Sequence, residues 1–222
     1  MNDNTINSFR GYYDFLSNMY PSPIKLGGVQ YTCAEAAFQA VKLADKSKRS
    51  IFAGISGKEA KALGRRVELR PDWNEIRINV MRWIISEKFK QNKSLKLRLI
   101  RSTSNCEIIE GNTWNDTFWG VCNGRGQNWL GKILMEERAK VPDTSNYRRI
   151  DKENVPASIL LFIKRLLHEE NEAGYEMKNV TIFSGEYYKI EYDSVDPLGV
   201  VHEACFVVDE RGEDSIQLKP EW

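Results

Sequence analysis

The stretch TCAEAAFQAVK, residues 32–42, constrains the fold more than any other part of the chain. On a helix its apolar side chains cover most of the circumference. Its polar side chains share one stripe about 60° wide, formed by Glu35, Gln39 and Lys42. The pattern predicts a helix over 33–45 that is buried on nearly every side. The polar stripe must therefore face either bulk water or a cleft.

Glu35 has a second interpretation as a capping residue. Thr32 and Glu35 have the T-x-x-E spacing of a capping box, in which the glutamate accepts a hydrogen bond from the backbone N–H of the threonine. Gln39 and Lys42 have no capping role, although they share the stripe, and this favours the cleft. The spacing alone leaves both interpretations open.

The first three-fifths of the chain is predicted to be one compact, mainly α or α+β domain, over residues 1–141. Pro, Gly and aromatic residues between 9 and 31 indicate short strands and turns. Helical periodicity and end signals predict four further helices, over 56–64, 73–92, 93–103 and 130–140.

The rest of the chain is predicted to be a separate, smaller module. Residues 142–156 are polar and lie between Pro142 and Pro156, which is typical of a linker. Residues 157–222 begin with an amphipathic helix and continue as alternating segments joined by turns. They predict a small acidic α+β extension in which a helix accompanies an antiparallel sheet.

Composition limits the chemistry that is available. With 41% hydrophobic and 28% charged residues the chain is typical of a globular protein, and without a long apolar run or a signal sequence it is expected to be cytoplasmic. The four cysteines lack C-x-x-C spacing, so no metal site is predicted. The only histidines are His168 and His202. Catalysis before residue 150 must therefore use carboxylates, lysine, tyrosine or a thiol.

The net charge of +1 hides an uneven distribution. Residues 1–150 hold 25 Lys and Arg against 15 Asp and Glu, a net of +10, whereas residues 151–222 hold 7 against 16, a net of −9. A basic first part indicates an anionic ligand such as a phosphate ester, a dinucleotide or a nucleic acid. Scattered surface lysines would give the same sum.

Asp116 is the second candidate carboxylate. It lies between Trp114 and Trp119 in EGNTWNDTFWG, residues 110–120. Aromatic walls lower the local polarity and can stack on a base, which suits acid–base chemistry on a nucleoside. The alternative is an Asx-turn residue among core tryptophans.

The Gly-rich stretch GRGQNWLGKI, residues 124–133, resembles half of a P-loop between Gly126 and Lys132. Ile133 stands where Ser or Thr would bind Mg²⁺, which excludes an NTPase of that kind. The turn could still hold an anion at a helix N-terminus, or be a plain turn. Lys88 and Arg77 lie on the apolar side of the helix over 73–92, and either extend to solvent or serve the site.

Several motifs occur in a fixed order: FRG, FLSNMYPSP, AEAAFQAVK, VMRWIISEKFKQN, IIEGNTWNDTFWG and GRGQNWLGKILMEER. In this order they resemble the NADAR, or YbiA-like, family of N-glycosidases over about residues 9–140. The resemblance implies a mostly helical domain that hydrolyses an N-glycosidic bond in a ribosyl-phosphate or ADP-ribosyl compound. Members of the family act on phosphorylated early intermediates of riboflavin synthesis, or remove ADP-ribose from modified guanine in nucleic acid.

The resemblance also implies site residues. Glu35, Asp116 and Lys88 are expected to be catalytic, with one carboxylate stabilising the oxocarbenium-like ribose and Lys88 binding a phosphate or protonating the base. The expected substrate-binding residues are Arg10, Gly11, Asn18, Gln39, Lys42, Trp119, Gly126 and Asn128. No metal, cofactor or membrane is expected, and the partners are the ribosyl substrate and ADP-ribosylated nucleic acid.

One departure from the family pattern bears on activity. Ala36 stands where the family usually has histidine directly after the glutamate. An alternative to catalysis is therefore a module that binds ADP-ribose or a nucleotide without cleaving it. The resemblance does not cover the extension after about residue 142, which could bind a protein partner or inhibit the basic domain.

Overall fold

The computed structural model describes residues 4–103, 106–142, 145–213 and 215–219. The chain has an α+β fold and divides into two compact units. The first comprises Met1–Leu99 and Thr103–Lys140, and the second comprises Ile100–Ser102 and Val141–Trp222.

The first unit is mostly helical. Its short strands form three two-stranded pairs, β1 with β4, β2 with β3 and β5 with β6. The strands are β1 (Thr5–Ile6), β2 (Ile24–Leu26), β3 (Val29–Tyr31), β4 (Glu107–Ile108), β5 (Gly111–Asn112) and β6 (Val121–Cys122). The helices are α1 (Ala34–Val41), α2 (Gly57–Leu63), α3 (Trp73–Gln91), α4 (Lys93–Thr103) and α5 (Trp129–Arg138).

Four of the five predicted helices agree with the structure to within two residues at each end, whereas α1 begins one residue later and ends four residues earlier than predicted. The backbone N–H of Lys42 bonds to the carbonyl of Gln39, a tighter turn that closes the helix. Asp45 then caps a 3₁₀ helix over Lys46–Phe52, with its side chain accepting from the backbone N–H of Ser47 at 2.9 Å. The segment between 9 and 31 also contains a 3₁₀ helix, Gly11–Leu16, beside the predicted short strands.

All eight residues of α1 are buried, as its composition predicts. The predicted capping box is wrong, because the hydroxyl of Thr32 donates instead to the carbonyl of Ile55 at 2.5 Å. The backbone N–H of Glu35 donates to the carbonyl of Asn18 at 2.8 Å. A neighbouring turn thus supplies the hydrogen-bond acceptor for a backbone N–H at the start of the helix. The Glu35 carboxylate does not cap its own helix.

That neighbouring turn is held by Lys88, on α3. The Lys88 side chain is 0% exposed, and its ammonium donates to the carbonyls of Phe15 at 2.6 Å and Ser17 at 2.9 Å. Burial lowers the pKa of Lys88 to about 7. The solvent-reaching alternative is therefore wrong for Lys88. The structure favours a positioning role over the expected phosphate contact, because backbone oxygens already accept from its ammonium.

The second unit is a five-stranded antiparallel sheet with one helix. The sheet order is β11–β10–β9–β8–β7. The elements are β7 (Arg148–Arg149), α6 (Ala157–Glu172), β8 (Glu176–Ser184), β9 (Tyr188–Val195), β10 (Val201–Val208) and β11 (Ser215–Lys219). Ile159, Phe162 and Leu166 of α6 share a core with Ile182, Ile190 and Tyr192 of the sheet.

The segment predicted as a linker contributes to this sheet. Arg148 and Arg149 pair with Ser184 and Phe183, so part of residues 142–156 is an edge strand. A two-residue strand has too little periodicity to be recognised in the sequence. Asp143 and Thr144 in this segment, and Asp214 at the start of the last predicted strand, lie outside the described residues. No helix among the described residues is long and apolar enough to cross a membrane.

Replacing Lys88 with methionine tests its contribution through pH. The pKa of Lys88 is about 7 in the folded protein against a usual 10.5, so between these values the unfolded chain binds more protons at this side chain. The free-energy cost of burying the charged Lys88 ammonium is greatest below pH 7. It decreases as the pH rises and the folded protein holds Lys88 in its neutral form. The wild type should therefore gain stability over Lys88→Met between about pH 7 and 10, by up to about 1.4 kcal/mol per pH unit.

Urea unfolding at four pH values measures this difference. Lys90→Met is the matched control, because Lys90 is exposed on the same helix. The control should follow the wild type. Equal pH slopes for the wild type and Lys88→Met would contradict the account.

Candidate active site

The polar stripe of α1 faces the interior of the first unit. Glu35 is 7% exposed and Gln39 is 4% exposed, while Lys42 is half-buried. The Gln39 amide donates to a Glu35 carboxylate oxygen at 2.7 Å. Gln39 Oε1 is buried and has no partner among the described residues. Of the two possibilities that the sequence left open, the structure thus excludes bulk water for Glu35 and Gln39.

Gly64 at the end of α2 fits closely against this pair. A Cβ atom at position 64 would lie 1.8 Å from Gln39 Oε1. Because this distance is far below van der Waals contact, the amide keeps its position only while residue 64 has no side chain. The end of α2 therefore helps to fix the Gln39 amide against Glu35.

Glu110 is a site residue that the sequence reasoning missed. Its carboxyl group interacts electrostatically with Asp116, Glu35 and Lys61, which come from three different segments. Burial is the largest cause that raises the pKa of Glu110 to about 8, followed by the charge of Asp116, while Lys61 opposes the shift. Its Oε2 atom is buried without a partner among the described residues. Glu110 is thus mostly protonated at neutral pH.

Asp116 combines the two roles considered for it. One of its oxygens accepts from the backbone N–H groups of Phe118 at 3.1 Å and Trp119 at 2.9 Å, which is the Asx-turn alternative. Its charge nevertheless acts on Glu110. The expectation of two aromatic walls is wrong, because Trp114 is 58% exposed. The turn instead fixes Trp119.

Trp119 belongs to a row of aromatic rings beside the stripe. Its ring centroid lies 5.5 Å from that of Phe38, which lies 5.0 Å from that of Trp73. Lys42 Nζ lies about 6 Å from the centroids of Phe38 and Trp73 (6.0 and 5.9 Å). At the other end Arg77 stacks on Phe118 at 3.7 Å. The row supplies an apolar surface next to the carboxyl groups.

Lys42 interacts electrostatically with Glu35 and with two further cations, Lys61 and Arg65. Burial is the first cause that lowers the pKa of Lys42; the charge of Glu35 raises it, and those of Lys61 and Arg65 lower it further. Lys61 and Arg65 lie on and just after α2, and neither was singled out from the sequence. Lys42, Lys61 and Arg65 could together bind an anion such as a phosphate near the Glu35–Gln39 pair.

Asn128 supports the site rather than lining it. Its amide oxygen accepts from the backbone N–H of Glu110 at 3.1 Å, and its amide nitrogen donates to the carbonyl of Ile108 at 2.8 Å. Both ends of the side chain are therefore engaged with the backbone. The structure favours positioning of Glu110 over the expected substrate contact.

For the Gly-rich turn the structure favours the plain turn over the anion site. The backbone N–H groups of Trp129 and Leu130, at the start of α5, donate to the carbonyls of Phe118 and Trp119. A Cβ atom at Gly126 would lie 2.1 Å from the carbonyl oxygen of Gly120, so backbone fills the space beside Gly126. The turn packs the loop that carries Asp116.

Three further expected residues differ in their relation to the site. Asn18 is buried beside the start of α1, where its amide nitrogen approaches the sulfur of Met81 at 3.4 Å and its amide oxygen has no partner among the described residues. Arg10 and Gly11 are exposed, and no contact within the described ranges 4–103 and 106–142 brings either to Glu35 or Glu110. Ala36 is fully buried and lies off the stripe.

Comparisons with known proteins agree with the extent of the first unit. A sequence model of the NADAR domain matches residues 7–141. N-glycosidase YbiA of Shigella flexneri is 35% identical over 148 residues, which cover 64% of this chain and 91% of YbiA. A riboflavin biosynthesis protein of Vibrio vulnificus is 34% identical over 142 residues, which cover 62% of this chain but only 38% of that relative.

A solved structure is similar as well. The NMR structure of YbiA from Escherichia coli matches with a TM-score of 0.55 at 32% sequence identity. The match covers 63% of this chain and 86% of the YbiA chain.

Proposed function

We propose that this chain, which belongs to the NADAR family, hydrolyses the N-glycosidic bond of a ribosyl-phosphate or ADP-ribosyl compound. The chain is an enzyme of the N-glycosidase class, since it shares the family and about a third of its matched residues with N-glycosidases whose length it largely covers. The observation that carries the substrate proposal is the buried Glu35–Gln39 pair. The charge of Glu35 acts on both Glu110 and Lys42, and Lys61 acts on the same two groups.

The buried carboxylate stabilises the reacting ribose. As the C1′–N bond breaks, positive charge develops at C1′ and the ring oxygen. Glu35 provides a negative charge in a site of low polarity, where it acts strongly on that developing charge. The Gln39 amide keeps the carboxylate in one orientation. The second oxygen of Asp116 is available in this proposal to bind a ribose hydroxyl group.

The cations and the aromatic row select the two ends of the substrate. Lys42, Lys61 and Arg65 bind the phosphate. This role accounts for the cations that lie near the carboxylate. Trp119 and Phe38 lie beside the base, and their rings can stack on it. A ribosyl phosphate with an attached base can contact the carboxylate, the cations and the aromatic rings at the same time. An ADP-ribosyl group adds a second phosphate.

Replacing Glu35 tests the proposed hydrolysis. The protein is incubated with a ribosylaminopyrimidine phosphate and, separately, with guanine-ADP-ribosylated DNA, and the products are identified by mass spectrometry. Ribose 5-phosphate or ADP-ribose should appear with the wild type. Glu35→Gln should slow its release by about 10²–10³-fold, as expected for loss of a charge that stabilises the transition state.

Glu68→Gln is the matched control, because Glu68 is exposed. It should retain the wild-type rate. Saturable binding of both compounds without any product would contradict hydrolysis and support the binding module instead.

Replacing Lys42 tests the phosphate contact. Lys42→Met should raise KM for the ribosyl phosphate about tenfold, since a charge-assisted hydrogen bond contributes about 1.5–3 kcal/mol. Cleavage of the same compound without its phosphate should change little. Lys58→Met, an exposed change on α2, serves as the control. Equal losses on both compounds would argue against a phosphate contact.

A further inference from the structure

We propose that Glu110 is the proton donor of this reaction and protonates the nitrogen of the leaving base as the C1′–N bond breaks. The inference rests on the proposed hydrolysis and assigns a catalytic role to a residue that neither the motif resemblance nor the helical pattern singled out. It follows from the location of Glu110, from an unpartnered oxygen and from the groups that surround it.

The carboxyl group of Glu110 belongs to the same site as the α1 stripe. Its charge is coupled to those of Glu35 on α1, Lys61 on α2 and Asp116 in the loop before β6. Glu110 is therefore close enough to interact both with Glu35 and with Asp116, whose loop fixes Trp119. In this proposal a base stacked on Trp119 lies near the Glu110 carboxyl group.

The backbone around Glu110 is fixed on both sides. Its N–H donates to the Asn128 amide oxygen at 3.1 Å, and its carbonyl accepts from the N–H of Val121 at 2.9 Å. A Cβ atom at Gly120 would lie 2.2 Å from the Glu110 carbonyl oxygen, so the two segments are in close contact. A residue held in this way presents its side chain in a defined direction, which proton transfer requires.

One oxygen of the carboxyl group lacks a partner. Glu110 Oε2 is buried and makes no hydrogen bond among the described residues. A buried polar atom without a partner is costly, and a ligand can supply what is missing. A protonated carboxyl oxygen can donate to a nitrogen, so the base of the substrate is a suitable partner.

The surroundings keep this carboxyl protonated until it is needed. Burial, and then the negative charges of Asp116 and Glu35, oppose its ionisation, while Lys61 favours it. The resulting pKa of about 8 leaves most of Glu110 in the acid form at neutral pH. Two carboxyl groups in one site thereby take different roles, one as the acid and one as the stabilising carboxylate.

Other candidate donors are less suitable. The ammonium of Lys88 already donates to two backbone carbonyls. The only histidines of the chain, His168 and His202, are in the second unit. One Asp116 oxygen already accepts hydrogen bonds from two backbone N–H groups.

The proposed step balances. The Glu110 O–H proton moves to the base nitrogen, which takes the electron pair of the breaking C1′–N bond. Water then forms the new C1′–O bond, and the proton it loses returns to the Glu110 carboxylate. The products are the free base and the ribose hydroxyl compound, and the enzyme is restored.

The test compares pH profiles on two substrates. With the ribosylaminopyrimidine phosphate, kcat/KM of the wild type should fall above about pH 8, as Glu110 of the free enzyme loses its proton. Glu110→Gln should lower kcat by about 10²–10⁴-fold and remove this alkaline fall. With a nitrophenyl riboside phosphate, whose phenolate leaves without protonation, Glu110→Gln should remain within a few-fold of the wild type.

The controls separate this inference from the proposed function. Glu107→Gln, an exposed change three residues earlier, should follow the wild type on both substrates. Equal losses by Glu110→Gln on both substrates, or an unchanged alkaline fall, would overturn the role of Glu110 while the hydrolysis stands. A wild type that cleaves neither substrate would overturn both. A thermal melt verifies that Glu110→Gln is folded.

Discussion

The site depends on a buried contact between Lys88 and the carbonyls of Phe15 and Ser17. Placing an ammonium group in the interior is unfavourable, and the two carbonyls compensate for part of the water that it loses. The same turn presents the carbonyl of Asn18 to the backbone N–H of Glu35. Because this carbonyl satisfies the start of α1, the Glu35 side chain need not cap its own helix. The contact therefore frees a carboxylate for the site.

A second constraint is the close backbone packing around the Asp116 loop. Gly120 and Gly126 let the loop segments approach each other, while Asn128 ties the end of that loop to the backbone of Glu110. These contacts set the positions of Trp119 and Glu110 without using their side chains. Gly126 and Asn128, which were expected to bind substrate, thus contact the backbone of this loop and of Glu110.

How much could be predicted depended on whether the information was local. The start of the helix predicted over 33–45 and its polar stripe followed from spacing, because periodicity along one helix determines which side chains share a face. The end of the helix at Val41 did not follow. The buried location of Glu35 agrees with that pattern. The N-terminal cap did not follow, since the acceptor is the carbonyl of Asn18, which is supplied by tertiary contact.

The electrostatic environment of Glu110 could not have been recognised from its neighbours in the chain. Its raised pKa comes from burial and from charges at positions 116, 61 and 35, which are brought together only by folding. The burial of Lys88 could not be predicted for the same reason, since a lysine at the edge of an apolar face usually extends to water. The two-residue strand at Arg148 and Arg149 is visible only through its pairing with β8. The signal that could have drawn attention to Glu110 was its place at the head of the EGNTWND motif.

The most direct test of the central claim is a crystal structure of Glu35→Gln with intact ribosylaminopyrimidine phosphate. The account predicts that C1′ lies beside the side chain of residue 35, that the glycosidic nitrogen is within hydrogen-bond distance of the Glu110 carboxyl group, and that the phosphate contacts Lys42. A substrate bound away from the α1 stripe, for example against Arg10 and Gly11, would contradict the account.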